Sequence, residues 1–274
     1  MSSATSQLKV TASRAADSKP LEYLVRGGFV GYGIIHLLFA WLALQVAFGH
    51  PAKEGDQSGA LQSLAGHSYG KVLLIAIAVG MVALAIWQAF AAAIGESGPP
   101  SKTAIAERVV SGARTIIYLW LAWTAVKVVR GVNGNTAGNQ QKNTSQLMSQ
   151  TGGRWLIGLI GLIIVGVGIG LFVYGYTKTF LKHLNTQQMS PPVRKSTRRL
   201  GVFGYLAKGV AYAIAGILVV TAAVTYRPDQ ARGLDSALKT LVSHSYGNWL
   251  LAVIAVGFAA FGVYCFSQAK YRKV

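Results

Sequence analysis

Six long apolar blocks, at 27–49, 72–95, 111–129, 155–177, 201–226 and 249–269, alternate with polar connections. Each block holds the roughly 20 residues that an α-helix needs to cross a hydrocarbon core of about 30 Å. A buried helix of a soluble protein is usually shorter and keeps a polar face. The pattern predicts an all-α integral membrane protein with six transmembrane helices. The polar connections carry a finer pattern. Leu234, Ala237, Leu238 and Leu241 fall at i, i+3, i+4 and i+7, which makes one apolar stripe on a helix. Ala60, Leu61 and Leu64 repeat the stripe in the first connection. Each outer connection is therefore expected to contain a short amphipathic helix at the membrane surface. Gly70 and Gly247 stand where the chain must turn sharply into the next membrane helix.

The blocks repeat. Shifted by 177 residues, 60–83 lies over 237–260 with 14 of 24 positions identical, including HSYG from His67 to Gly70 and again from His244 to Gly247. In the preceding helices the shift is 176, which matches Gly28 with Gly204 and Gly33 with Gly209. The middle copy aligns with the third at a shift of 94, which places Arg114 on Lys208, Tyr118 on Tyr212, and Gly153 on Gly247. The expected organisation is a disordered cytoplasmic tail at 1–20 and three two-helix units at 21–100, 101–193 and 194–274. Units with an even number of helices share one orientation. They are parallel repeats about an axis along the membrane normal, unlike the odd, inverted units of many transporters. A pseudo-three-fold bundle is the natural packing.

Three such units, with a helix opening GYLAKGVAYAIAG at 204–216 and an HSYG turn before the second helix, resemble a bacterial membrane family of unknown function. That family is common in actinobacteria and often carries three copies per chain. The resemblance spans about 21–273 and implies the fold, with no activity, substrate or catalytic residue. The middle unit departs from it, with Thr115 where Gly209 stands and no HSYG.

Composition agrees: 52% of residues are hydrophobic and 12% charged, against about 25% charged in soluble proteins. The net charge of +18 comes without a nucleic-acid motif, so no nucleic-acid partner is expected. Basic residues gather on the cytoplasmic side of membrane proteins and near anionic lipid. The side holding both termini carries 15 lysines and arginines, among them Arg194, Lys195, Arg198 and Arg199, against 9 on the other side. Both termini are expected in the cytoplasm, with the protein in the bacterial plasma membrane. The polar N-terminal segment lacks the apolar run of a signal peptide, so the first helix is expected to act as an uncleaved anchor. The one cysteine, Cys265, allows no disulfide within the chain and no cysteine-based metal site.

Several residues are candidates for special roles. Gly27 and Gly31, and Gly166 and Gly170, are spaced four apart with Gly158 and Gly161 nearby. This spacing lets membrane helices approach closely, so these glycines are expected to pack helices. His67 and His244 recur in register, with Gln150 at the middle position; the expected role is a polar cap on the surface helix, with Gly70 and Gly247 forming the turn. His36 stands inside the first span over Tyr118 and Tyr212. One histidine does not supply the two axial ligands of a membrane b-type haem, and no cofactor or metal is expected.

Arg114 and Lys208 are equivalent charges one or two turns inside their spans, where a basic group marks a functional position or reaches for the headgroups. Binding of an anionic lipid is the functional expectation for this pair. No aspartate or glutamate lies inside a span, which argues against an ion-coupled transporter or proton pump. No serine-hydrolase elbow, zinc-protease motif or Walker loop is present. The expected function is a non-enzymatic scaffold or accessory subunit of a membrane complex. The alternative is a small-molecule or lipid transporter or channel on the repeat axis.

Overall fold

The computed structural model describes residues 18–49, 57–94, 104–132, 136–150, 152–227 and 246–273. The N-terminal tail, the expected surface helix of the third connection and His244 lie outside them. The described chain is helical: α1 Lys19–Ala47, α2 Gln57–Ala65, α3 Gly70–Ile94, α4 Ala104–Val129, α5 Thr136–Met148, α6 Gly153–Tyr176, α7 Pro191–Thr225 and α8 Gly247–Tyr271. Six of these are long and apolar enough to cross a membrane, and α2 and α5 are short helices in the connections from α1 to α3 and from α4 to α6. Prolines open α1 and α7, where a missing N–H costs nothing.

The tightest helix pairs join neighbouring units: α3 with α4, α6 with α7, and α8 with α1. The last pair brings the third unit back against the first. Within units, α1 packs on α3 and α7 on α8, whereas α4 and α6 do not pack along their length. The middle unit thus has an open internal seam, and its two helices are the least enclosed of the six.

Glycine sets these approaches, partly at the expected positions and partly at others. A Cβ on Gly33 would lie 2.7 Å from the Gly262 carbonyl oxygen, and one on Gly168 would lie 2.8 Å from that of Gly209. These two contacts are the same crossing in two places, since Gly33 falls on Gly209 and Gly168 on Gly262. Gly28 meets Gly80 in the same close manner between α1 and α3. Of the expected packing glycines, Gly31 rests on Ile77, Gly158 on Ala223 and Gly161 on Val220, whereas a Cβ on Gly27, Gly166 or Gly170 would meet nothing within 4 Å. The spacing of four puts two residues on one helix face but does not say which face is turned inward.

The turn into α3 recurs in the middle unit without its HSYG sequence. Gly70 N–H donates to the His67 carbonyl and His67 N–H to that of Leu64, at 2.8 and 3.2 Å. Gly153 and Gln150 make the same bonds, to Gln150 and Leu147, at 3.0 and 3.1 Å. A side chain on Gly70 would collide with the Leu64 carbonyl, and one on Gly153 with the Leu147 carbonyl. His67 itself is exposed, and its Nδ1 lies 3.2 Å from the Ser63 carbonyl at the end of α2.

At the opposite end, the α6–α7 connection folds onto the C-terminus of α8. Leu184 and Arg272 form an antiparallel bridge. Asn185 N–H donates to the Tyr271 carbonyl at 2.8 Å, and Lys273 N–H to that of His183 at 3.1 Å.

Candidate functional site

The first helices of the three units converge on the repeat axis and bring equivalent residues to it. Shifts of 176 and 94 superpose Tyr32, Arg114 and Lys208, and one turn further on His36, Tyr118 and Tyr212. The structure joins them across units. Lys208 Nζ lies 3.2 Å from His36 Nε2 and 3.4 Å from the Tyr32 hydroxyl. The Tyr32 and Tyr118 rings meet edge to face at 5.4 Å.

Chemistry fixes the direction of these bonds. His36 Nδ1 lies 2.8 Å from the Tyr32 carbonyl oxygen. A carbonyl only accepts, so Nδ1 carries the hydrogen and Nε2 of the neutral ring presents its lone pair. The Lys208 ammonium is therefore the donor to Nε2. The same ammonium sits 3.9 Å from the centre of the Phe261 ring, a cation–π contact.

Lys208 was expected at shallow depth with its amine reaching the headgroups. The side chain is 5% exposed and turned into the bundle, where its amine meets His36 and Tyr32. On α7 it shares this inward face with buried Gly201, Gly204, Tyr205 and Ala211. Arg114 on α4 hydrogen-bonds Tyr174 of α6 and faces Tyr118 and Tyr205. It thereby spans the seam that helix packing leaves open.

Three further groups complete this interior and were not singled out by sequence. Arg272 is 3% exposed, its guanidinium 5.0 Å from the Trp87 ring and 5.6 Å from Phe29. Tyr205 packs on Tyr174, Phe261 and Tyr264 at 5.0, 5.1 and 5.7 Å. The Tyr264 hydroxyl is buried and has no hydrogen-bond partner among the described residues. Tyr32 could have been found, because it falls on Lys208 in the repeat alignment. Arg272 lies beyond the last apolar block and reads as solvated until the bridge to Leu184 draws it inward.

Two other arginines cap helix ends. Arg26 donates to the carbonyls of Ala269 and Lys270 at 2.8 and 2.5 Å and pairs with Glu22 at 2.7 Å. Arg154 donates to the Ala223 and Val224 carbonyls at 2.7 and 2.8 Å. A cation at the negative end of a helix satisfies carbonyls that have no partner within it. At the outer-loop end, a crevice of about 390 Å³ opens between α2, α4 and α5, lined by Gln62, Trp120, Trp123, Lys127, Asn139 and Asn143 among others.

Comparison with known proteins agrees with the repeat structure. A protein of Bacillus subtilis (strain 168), "Uncharacterized protein YxxB", is 28% identical over 258 residues, covering 93% of each chain. No solved structure matches. Residues 27–95, 109–178 and 203–272 each match the family described as Domain of Unknown Function (DUF1206). Three tandem copies account for the bulk of the polypeptide, and the chain belongs to the DUF1206 family.

Proposed function

We propose that this protein is a non-enzymatic scaffold or accessory subunit of a membrane complex in the bacterial plasma membrane, with both termini in the cytoplasm. The observation that carries this reading is the outward face of the middle unit. On α6, Gly166 and Gly170 are uncovered and are flanked by exposed Leu162, Ile163, Val167 and Ile169. Uncovered small residues four apart let a second helix backbone approach in lipid, where apolar area alone provides no drive for association. The occupant is an apolar membrane helix of a partner protein, because this face offers close packing and no charge.

A photo-crosslinker at Leu162 in native membranes tests the reading. The expected product is one discrete protein adduct that disappears in Gly166→Leu, Gly170→Leu while the thermostability of the chain stays as in wild type. Adducts with lipid alone would overturn it. They would favour the second reading, a small-molecule or lipid transporter, which draws support from Lys208 and His36 on the repeat axis.

A further inference from the structure

The short helix of the middle unit has lost the apolar stripe that the other two units carry. The repeat alignment places Gln140, Asn143 and Thr144 on Leu234, Ala237 and Leu238 of the third unit, and Asn143 and Thr144 on Ala60 and Leu61 of the first. In the first unit Ala60 and Leu61 are fully buried. In the middle unit Gln140 and Asn143 are exposed, and the crevice of about 390 Å³ opens beside them between α2, α4 and α5. α4 contributes the indoles of Trp120 and Trp123 and the ammonium of Lys127, while α2 contributes Gln62. α5 contributes the amides of Asn139, Gln140 and Asn143. Lys127 Nζ sits 5.6 Å from the centre of the Trp123 ring, so the one charged group lining the crevice stands beside an indole.

We propose that this crevice binds a saccharide ring, present as a free sugar or as the headgroup of a glycolipid. The ligand class follows from the lining. Each amide offers two N–H donors and a carbonyl acceptor, so a row of amides suits a ligand whose neighbouring atoms both donate and accept. Adjacent sugar hydroxyls do this. The indoles offer broad apolar faces for the C–H face of the ring. The volume lies toward the small end of the roughly 300–1,000 Å³ found for small-molecule sites, which suits one or two rings rather than a folded partner. Lys127 adds a point charge for an acidic substituent. Tryptophan is common at membrane interfaces, but an interfacial belt needs no amides in place of a packed stripe. The crevice is separate from the face of α6 that carries Gly166 and Gly170, so its test is independent of the crosslinking result.

The test uses the full chain in a mild detergent without a sugar headgroup. The probes are glucose, galactose, mannose, glucuronate and glucosyl diacylglycerol, with phosphatidylcholine as the control lipid. Binding is read by tryptophan fluorescence and by native mass spectrometry. At least one sugar probe is expected to bind saturably, with glucuronate held more tightly than glucose. Binding of a free sugar identifies a soluble ligand, and binding of the glycolipid alone identifies a headgroup. Trp123→Ala should weaken the effective probe at least tenfold. Asn143→Ala, which restores the residue of the other two units, should weaken it at least threefold without loss of stability. Lys127→Gln should remove the preference for glucuronate. Trp41→Ala is the control, since Trp41 is the equivalent of Trp123 in the first unit, is likewise exposed and does not line the crevice; it should bind as wild type does. The proposal is overturned if no sugar probe binds wild type beyond phosphatidylcholine. It is also overturned if Trp41→Ala and Trp123→Ala weaken binding equally, which would leave both tryptophans as interfacial anchors only.

Discussion

Gly166 and Gly168 lie two positions apart on α6 and meet opposite surroundings. A Cβ on Gly166 meets nothing within 4 Å, while one on Gly168 lies 2.6 Å from the Ala213 backbone nitrogen. Gly168→Leu should therefore destabilise the fold by about 2 kcal/mol or more, since overpacking a close contact forces the backbones apart. Gly166→Leu should stay within about 0.5 kcal/mol of wild type, as for other surface changes. Thermal unfolding in detergent separates the two, and equal loss in both would place the α6–α7 contact on another face. His36 gives a second residue-scale expectation. His36→Phe removes the acceptor of a buried ammonium, a loss of about 1–3 kcal/mol. In a Lys208→Met background the same change should be nearly neutral, because the group that needed the acceptor is gone. A double-mutant cycle measures this coupling, and strict additivity would count against the His36–Lys208 bond.

At the scale of elements, the turn before each second helix is built from the backbone rather than from the histidine. Gly70 and Gly153 make the same hydrogen bonds with different neighbours, and in each a side chain would strike the carbonyl six residues earlier. Gly70→Ala and Gly153→Ala should each destabilise by about 1–3 kcal/mol, while His67→Ala, at an exposed site, should change stability little. Thermal unfolding of the three variants checks this, and a larger loss from His67→Ala would return the turn to its side chain. The crossings between units show a similar economy of means. Gly33 on Gly262 and Gly168 on Gly209 are one contact used twice. The third occurrence falls on Ala85 and Thr115, where Ala85 is buried and Thr115 returns its hydroxyl to the Ser111 carbonyl at 3.0 Å. Thr115 was the visible departure of the middle unit from the family pattern, and the α3–α4 pair still forms around it.

For the whole molecule, the basic residues predict the orientation. Tyr69 at the outer-loop end is 84% exposed, and Gln187 in the connection beside the C-terminus is also exposed. The native Cys265 is buried, so cysteines placed at these two positions should report without interference. Tyr69→Cys should react with an impermeant thiol reagent in intact cells, and Gln187→Cys only after lysis. Reaction of Gln187→Cys in intact cells would reverse the orientation and with it the positive-inside argument. The open seam of the middle unit also bears on the whole. The first and third units close on their own helices and the middle one does not, so the pseudo-symmetry is broken at the place where Arg114 and the exposed face of α6 lie.

The six helices, their pairing into three units and the short helices of the first two connections follow from residue order alone. Span length is set by bilayer thickness, and repetition is an identity between stretches of one chain. The equivalence of Arg114 with Lys208, and of His36 with Tyr118, was legible in the same way. Rotation of each helix about its own axis was not, because a span that is apolar all round carries almost no periodic signal to orient it. That is why Gly31 packs inward while Gly27, Gly166 and Gly170 face out. It is also why Lys208 meets His36, 172 positions away, rather than the headgroups. Tertiary structure alone brought Arg272 under Trp87 and left the Tyr264 hydroxyl without a partner among the described residues, since each depends on which side chains from distant segments fill the same space.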